Sequence, residues 1–290
     1  YMLSETFKKV GFLSLGLSLA LTSCSEDVEE TSTATAEPTA NLEVSQAIIQ
    51  QVEDLGMNTN YVRWDDFYFP DGSSEPRLFL EEDVIITPEE LSAMAANVEV
   101  SKSGKGDSKQ YRTSALVSQG RTISIIGYTG GSQALSQKER TALQWAVDNY
   151  NRLSGVSISF NLTFGTNYQD KDMVVYNNTV NNPNGAGGSA GFPSNGLPYK
   201  FVQIYGLTNY DTNVVEHVIT HEIGHSVGFR HTDWFSRQSC GQNVNEGGDT
   251  NHVAGTPTGY DPTSVMLACF SASEDGEFNA NDITALNNMY

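Results

Sequence analysis

The spacing of apolar residues changes character several times along the chain. Near the start, the apolar run Val10 to Leu21 follows Lys8 and Lys9. It is too short to span a bilayer as a helix and has the form of an export-signal core. Glu29 to Ala40 is rich in Thr, Ala and Glu without an apolar period and reads as a flexible tether. Val44, Ile48, Val52 and Leu55 then recur at helical spacing. Val84-Ile85-Ile86 predicts a strand, and Thr87-Pro88-Glu89-Glu90 predicts a helix start with Thr87 as cap and Pro88 in the first turn. Ser101 to Gln110 is polar, charged and Gly-containing, the character of a linker open to processing. From Tyr111 the pattern turns to mixed α/β. Thr122 to Tyr128 alternates as a strand does and ends at a Gly-Gly turn. Leu143, Ala146, Val147, Tyr150 and Leu153 form one helical stripe. Val156 to Phe164, Met173 to Tyr176 and Tyr199 to Tyr205 read as further strands, and Asn181 to Asn195 as a Gly/Asn/Pro-rich excursion. The predicted fold class is α/β: a twisted mixed sheet backed by a helix.

Charge redraws the domain boundaries. The chain of 290 residues carries a formal net charge of −19, but residues 25–100 hold 18 Asp/Glu against Arg63 and Arg77, a local net of −16. Acidity therefore belongs to the N-terminal third, and no basic footprint for nucleic acid exists. Leu21-Thr22-Ser23-Cys24 resembles the bacterial lipoprotein cleavage box, and Ser25-Glu26-Asp27 resembles surface-export signals of Gram-negative lipoproteins. The organisation expected is a signal peptide with lipobox over 1–24, a tether over 25–40, an acidic segment read as a propeptide over 41–110, and a catalytic domain over 111–290. The protein is expected to be bacterial and exported, either secreted or attached to the membrane surface through lipid on Cys24.

Candidate chemistry concentrates in one stretch. His221-Glu222-Ile223-Gly224-His225 continues to Gly228 and His231, giving HExxHxxGxxH. On a helix, residues four apart project from one face, so His221 and His225 can share an ion. Gly228 can adopt the left-handed conformation that ends a helix, returning His231 as third ligand. Three imidazoles with an open position are the donor set of a catalytic zinc ion, and Glu222 lies beside the first ligand, within reach of the water that the ion acidifies. One Zn(2+) is expected. His217 also lies four residues before His221, but that pairing leaves both Glu222 and Gly228 without a role. His252 sits in a polar stretch and reads as solvated. The Asn/Asp-rich Asn243 to Asn251 matches no calcium-loop pattern.

With these residues the segment resembles the bacterial HEIGH metallopeptidase family of the metzincin clan, with more distant similarity to astacins. The resemblance spans roughly residues 111–290. It implies a metzincin-like zinc protease fold with an active-site helix and a C-terminal subdomain carrying a Met-containing turn beneath the metal. Ser264-Val265-Met266 fits that turn, with Met266 packing under the histidines. It further implies a peptide substrate bound extended along an edge strand near Gly188 to Pro193. Astacins carry Glu after the third His and Tyr two residues after the turn Met, where this chain has Thr232 and Ala268. The oxyanion stabiliser is thus unassigned, with Tyr260 a candidate, while Asp233 either orients His231 or caps local backbone.

The cysteines divide by position. Cys240 follows the third His and Cys269 follows Met266, so in an exported protein they are expected to form a disulfide. Closing that loop would stabilise by roughly 3–4 kcal/mol in the chain-entropy model. Cys24 stays unpaired, for lipid attachment or as a switch whose thiolate blocks the zinc. The expected activity is hydrolysis of peptide bonds of extracellular proteins, with Glu222 as general base. A non-catalytic adhesion module on the same fold and a zinc hydrolase of small amides are the alternatives. Oligomeric state is not legible.

Overall fold

The structure, a computed structural model, describes residues 42–55, 57–101, 110–247, 250–257 and 259–290. The expected signal peptide, tether and Cys24 lie outside them. Helix α1 (Gln46–Asp54) starts at the Ser45 cap. Strands β1 (Arg63–Tyr68), β2 (Ser74–Leu80) and β3 (Val84–Ile86) form an antiparallel sheet in the order β1-β2-β3. Helix α2 (Pro88–Ser101) begins where the cap was expected: the Thr87 amide donates to Glu90 and the Glu90 amide donates to Thr87 Oγ1.

The C-terminal part contains β4 (Tyr111–Arg112), β5 (Thr122–Tyr128), α3 (Gln137–Asn151), β6 (Ser159–Gly165), β7 (Met173–Asn177), β8 (Gly187–Ser189), β9 (Phe201–Tyr205), α4 (Thr212–Ser226), β10 (Phe229–Arg230), β11 (Asn251–His252) and α5 (Ala280–Met289). The main sheet runs β6-β5-β7-β9-β8. Its β5, β6, β7 and β9 pair in parallel, and β8 joins the edge antiparallel to β9. The α/β expectation is therefore met by a mixed sheet. Helix α3 opens with a reciprocal Ser136–Glu139 capping box and buries Leu143, Ala146, Val147 and Tyr150, most of its predicted stripe. That face packs on α4, where the Tyr150 hydroxyl donates to the Thr220 carbonyl at 2.9 Å. Almost every residue of α4 is buried. Among the described residues no helix is long and apolar enough to cross a membrane.

Two features escaped the sequence pattern. Strands β1 and β2 were not predicted: of RWDDFY only Phe67 is buried, and Pro76 interrupts SEPRLFL, so neither run alternates cleanly. They form because pairing to β3 buries Leu78, Leu80 and Val84 with Val52 and Leu91. Strand β8 lies inside the Gly/Asn/Pro-rich excursion; Gly-Gly-Ser has little strand propensity, and its pairing with β9 makes it a strand. The acidic segment also reaches the main sheet. Val84 bridges Ala190 in parallel, with the Ile85 amide donating to the Ala190 carbonyl at 2.7 Å and the Ala190 amide to the Asp83 carbonyl at 3.0 Å.

Candidate metal centre

Helix α4 carries His221 and His225 one turn apart on its inner face. It ends at Val227, and Gly228 follows at φ 109°, a backbone conformation side-chain-bearing residues avoid. A Cβ there would also approach Leu116 Cδ2 to 2.7 Å. The reversal feeds β10 and returns His231 to the helix. The Nε2 atoms of His225 and His231 lie 3.2 Å apart, and the His221 ring centroid is 4.6 Å from that of His225 and 5.3 Å from that of His231.

Each ring is fixed from behind through Nδ1. His221 donates to the Val265 carbonyl at 2.9 Å, His225 to the Phe229 carbonyl at 2.9 Å, and His231 to the two Glu246 carboxylate oxygens at 2.9 and 3.0 Å. A backbone carbonyl can only accept, and a carboxylate accepts when ionised. Each Nδ1 therefore carries a proton, and each Nε2 faces the common centre. Oxygen partners behind ligating imidazoles are how metal sites set ring tautomer and basicity.

The fourth group is Asp83, from the turn between β2 and β3. Its Oδ2 lies 3.0 Å from His231 Nε2 and 3.8 Å from His221 Nε2. The three imidazoles and this carboxylate offer donor atoms within 4.8 Å of one another, and all three rings are nearly inaccessible. Burial, with the neighbouring His221 and His231, holds the His225 pKa well below the usual imidazole value. For Asp83, burial acts upward, but the charge of His231 and the nearby His221 ring bring the carboxyl well below its ordinary range. At His231 burial acts downward and is outweighed by Asp83 and Glu246, raising the pKa. Asp83 and Glu246 thus favour a positive charge at the centre, carried here by the His231 ring; a cation held by the three Nε2 atoms would replace that proton. A tetrahedral borderline cation such as zinc fits that set.

Glu222 points into the same cleft. Burial, reinforced by the charge of Asp83, pushes its carboxyl well above the usual range, and Oε2 has no hydrogen-bond partner among the described residues. It lies against β8: a Cβ on Gly188 would come within 2.5 Å of Glu222 Cγ. Met266 is fully buried. A Cβ on Gly224 would stand 2.5 Å from Met266 Sδ, a physical reason for glycine within His221-Glu222-Ile223-Gly224-His225. The same turn supplies the Val265 carbonyl to His221 and is braced by Asp282, which accepts from the Val265 amide and Ser264 hydroxyl. Cys240 and Cys269 form a disulfide.

Three site residues were missed by sequence reading or assigned otherwise. The acceptor behind His231 is Glu246; Asp233 instead caps backbone, accepting from the Ser239 and Ala268 amides and the Ser239 hydroxyl. Glu246 lies in the Asn/Asp-rich loop after the third His, where an excess of acceptors was the one available signal. Asp83 was hidden in an acidic run, Glu81-Glu82-Asp83, with nothing to single it out. Its neighbours anchor it: Glu81 pairs with Arg230 at 2.5 Å, Glu82 with Arg237 at 2.5 Å, and Arg237 with Glu246 at 2.6 Å. The tyrosines lining the cleft are Tyr205 and Tyr210.

The sequence model of the dual-action HEIGH metallo-peptidases matches residues 79–290, so the match begins in β2 and takes in Asp83. Among curated sequences none matches. Similar solved structures include myroilysin, with 15% identity over 61% of this chain and 82% of that one at TM-score 0.40. High choriolytic enzyme 1, a hatching enzyme zinc-protease from Oryzias latipes (Medaka fish), shows 19% identity over 60% and 93% at TM-score 0.37. With the family model covering most of its length, the chain belongs to the dual-action HEIGH metallo-peptidases and is a metallopeptidase.

Proposed function

We propose that this metallopeptidase is a zinc-dependent endopeptidase of extracellular proteins, kept latent by its own acidic segment. The observation that carries the reading is the convergence of three imidazole Nε2 atoms beside the buried Glu222 carboxyl. In it, His221, His225 and His231 hold the metal. A bound zinc ion supplies Lewis acidity, lowering the pKa of water and polarising a carbonyl. Glu222 takes the proton of the attacking water and returns it to the leaving amine. The edge strand β8 offers backbone groups to an extended peptide, as strand addition requires. That open edge favours a peptide over a small amide, for which an enclosed pocket would be expected.

Latency is inferred from Asp83. Its carboxylate faces the three imidazoles where water must sit, and residues 83–85 use the β8 end that a peptide would use. Processing within Ser101 to Gln110 would free the segment. Cys24, by this reading, is left for lipid attachment at the surface of an exported bacterial protein. Mass spectrometry of the mature N-terminus tests that attachment.

The decisive assay incubates zinc-loaded protein with casein, with and without chelator and alongside Glu222→Gln. Turnover abolished by chelator and by the substitution, with zinc still bound by the variant, is the expected result. Equal turnover by Glu222→Gln would refute the catalytic reading. Latency predicts more activity from Asp83→Ala than from the unprocessed chain; equal activity refutes it.

A further inference from the structure

Gln110 is the last residue of the stretch expected to be processed, Ser101 to Gln110, yet its side chain is wholly buried. Its carbonyl accepts from the Val253 amide at 2.9 Å. Its side-chain Nε2 donates to Asp282 Oδ1 at 2.7 Å and to Ser264 Oγ at 3.2 Å. Asp282 stands in the first turn of α5 with no exposed surface. It accepts from Gln110 and the Ser264 hydroxyl at Oδ1, and from the Val265 and Asn279 amides at Oδ2. A buried carboxylate depends on such donors. Only the NH2 end of the Gln110 amide can face that carboxylate. Its Oε1 is left buried without a partner among the described residues, so the side chain is set by what its nitrogen holds. The Ser264 hydroxyl has one proton, given to Asp282 at 2.7 Å, and its oxygen accepts from Gln110 and from the Met266 amide at 3.1 Å.

We infer that Gln110 is a positioning residue of the metal centre: by holding Ser264 and Asp282 it sets the peptide plane whose carbonyl orients His221. The Met266 amide and the Val265 carbonyl belong to that one rigid plane. Ser264 Oγ holds its amide side, and the His221 Nδ1 donates to its carbonyl side at 2.9 Å. Without the Gln110 donor the hydroxyl and the carboxylate lose a shared partner, and the plane can tilt. Direct partners of metal-bound histidines govern metal affinity by about 10- to 100-fold, so a residue one step behind them is expected to govern it by about three- to tenfold. The same contacts limit processing. A cut beyond Gln110 would take the donor away, so the linker has to be opened on its N-terminal side.

The inference rests on the metal-holding part of the peptidase reading, and zinc affinity tests it apart from turnover. The full chain, Gln110→Met, Ser264→Ala and the double variant are titrated with zinc against a chromophoric chelator at neutral pH. The cobalt(II)-substituted form of each gives a visible spectrum that reports ligand geometry. Methionine keeps the length and burial of glutamine and removes the donor. Gln110→Met is expected to bind zinc about three- to tenfold more weakly, with a shifted cobalt spectrum. In the double variant the loss should be smaller than the product of the two single losses, because both act through Ser264 Oγ. A packing role for Gln110 would lower the denaturation midpoint and leave affinity and spectrum where they are. Unchanged zinc affinity, an unchanged cobalt spectrum, or losses that simply multiply each overturns the inference. Should Gln110→Met not fold, Ser264→Ala decides alone, and unchanged affinity there overturns it. If the parent chain binds no zinc, the metal centre itself fails; a parent that binds zinc beside an unaltered Gln110→Met fails this inference only.

Discussion

The position of Glu246 makes a sharp prediction. Its carboxylate is wholly buried and serves two partners, His231 Nδ1 at 2.9 Å and Arg237 at 2.6 Å. Glu246→Gln preserves size and one acceptor oxygen but removes the charge. The hydrogen bond to His231 is charge-assisted, and such bonds contribute about 1.5–3 kcal/mol. Outer partners of metal-bound histidines typically govern metal affinity by about 10- to 100-fold, which corresponds to about 1.4–2.7 kcal/mol. The two routes to the magnitude agree. Zinc affinity of Glu246→Gln, measured by competition with a chromophoric chelator at neutral pH, is therefore expected to fall 10- to 100-fold. Asp233→Asn is the control, because the Asp233 carboxylate accepts from the loop amides of Ser239 and Ala268 and from the Ser239 hydroxyl. It should lower thermal stability and leave zinc affinity within about threefold, less than half the free energy of the tenfold loss. If Glu246→Gln binds zinc as tightly as the parent, or Asp233→Asn weakens binding as much, the assignment of Glu246 as the partner of His231 is wrong.

Other consequences can be measured separately. Alanine at an interior helix glycine ordinarily stabilises by about 0.5–1 kcal/mol. Gly224→Ala is instead expected to destabilise by about 1–3 kcal/mol through overpacking on Met266, and a double cycle with Met266→Ala should show the two costs coupled; simple additivity in denaturant melts would rule out the contact. Gly188→Ala should displace Glu222 and cut kcat while zinc stays bound, as read by metal analysis beside peptide turnover. Replacing Cys240 and Cys269 together by serine should cost about 3–4 kcal/mol, scored by chemical denaturation. Glu216, buried in α4 and hydrogen-bonded by Asn149, has its pKa pushed up to about 7, chiefly by burial. A carboxyl raised in the folded state favours folding below its unfolded pKa and loses that advantage as pH rises toward 7. Glu216→Gln should therefore gain stability relative to the parent between about pH 4.5 and 7; parallel stability curves would contradict this.

What the sequence determined by itself was local. Helical spacing in His221-Glu222-Ile223-Gly224-His225, the turn at Gly228 and the returning His231 are relations within eleven consecutive residues. A helix translates such spacing directly into geometry. The stripe of α3, the Thr87 cap and the strand at β3 were legible for the same reason. The link between Cys240 and Cys269 was accessible because the chain offers few partners.

Tertiary structure decided whatever depended on distant segments meeting. Asp83 reaches His231 across 148 positions of chain, and Glu246 reaches it from a loop without regular period. Carboxylates are common in acidic runs, and only the pairing of residues 83–85 with Ala190, with Glu81 and Glu82 held by Arg230 and Arg237, selects the one that faces the imidazoles. Strand β8 is likewise a product of its neighbour, since Gly-Gly-Ser has no preference that would make it a strand alone. Periodicity records which way a side chain points along its own element; it carries no information about which remote element arrives opposite.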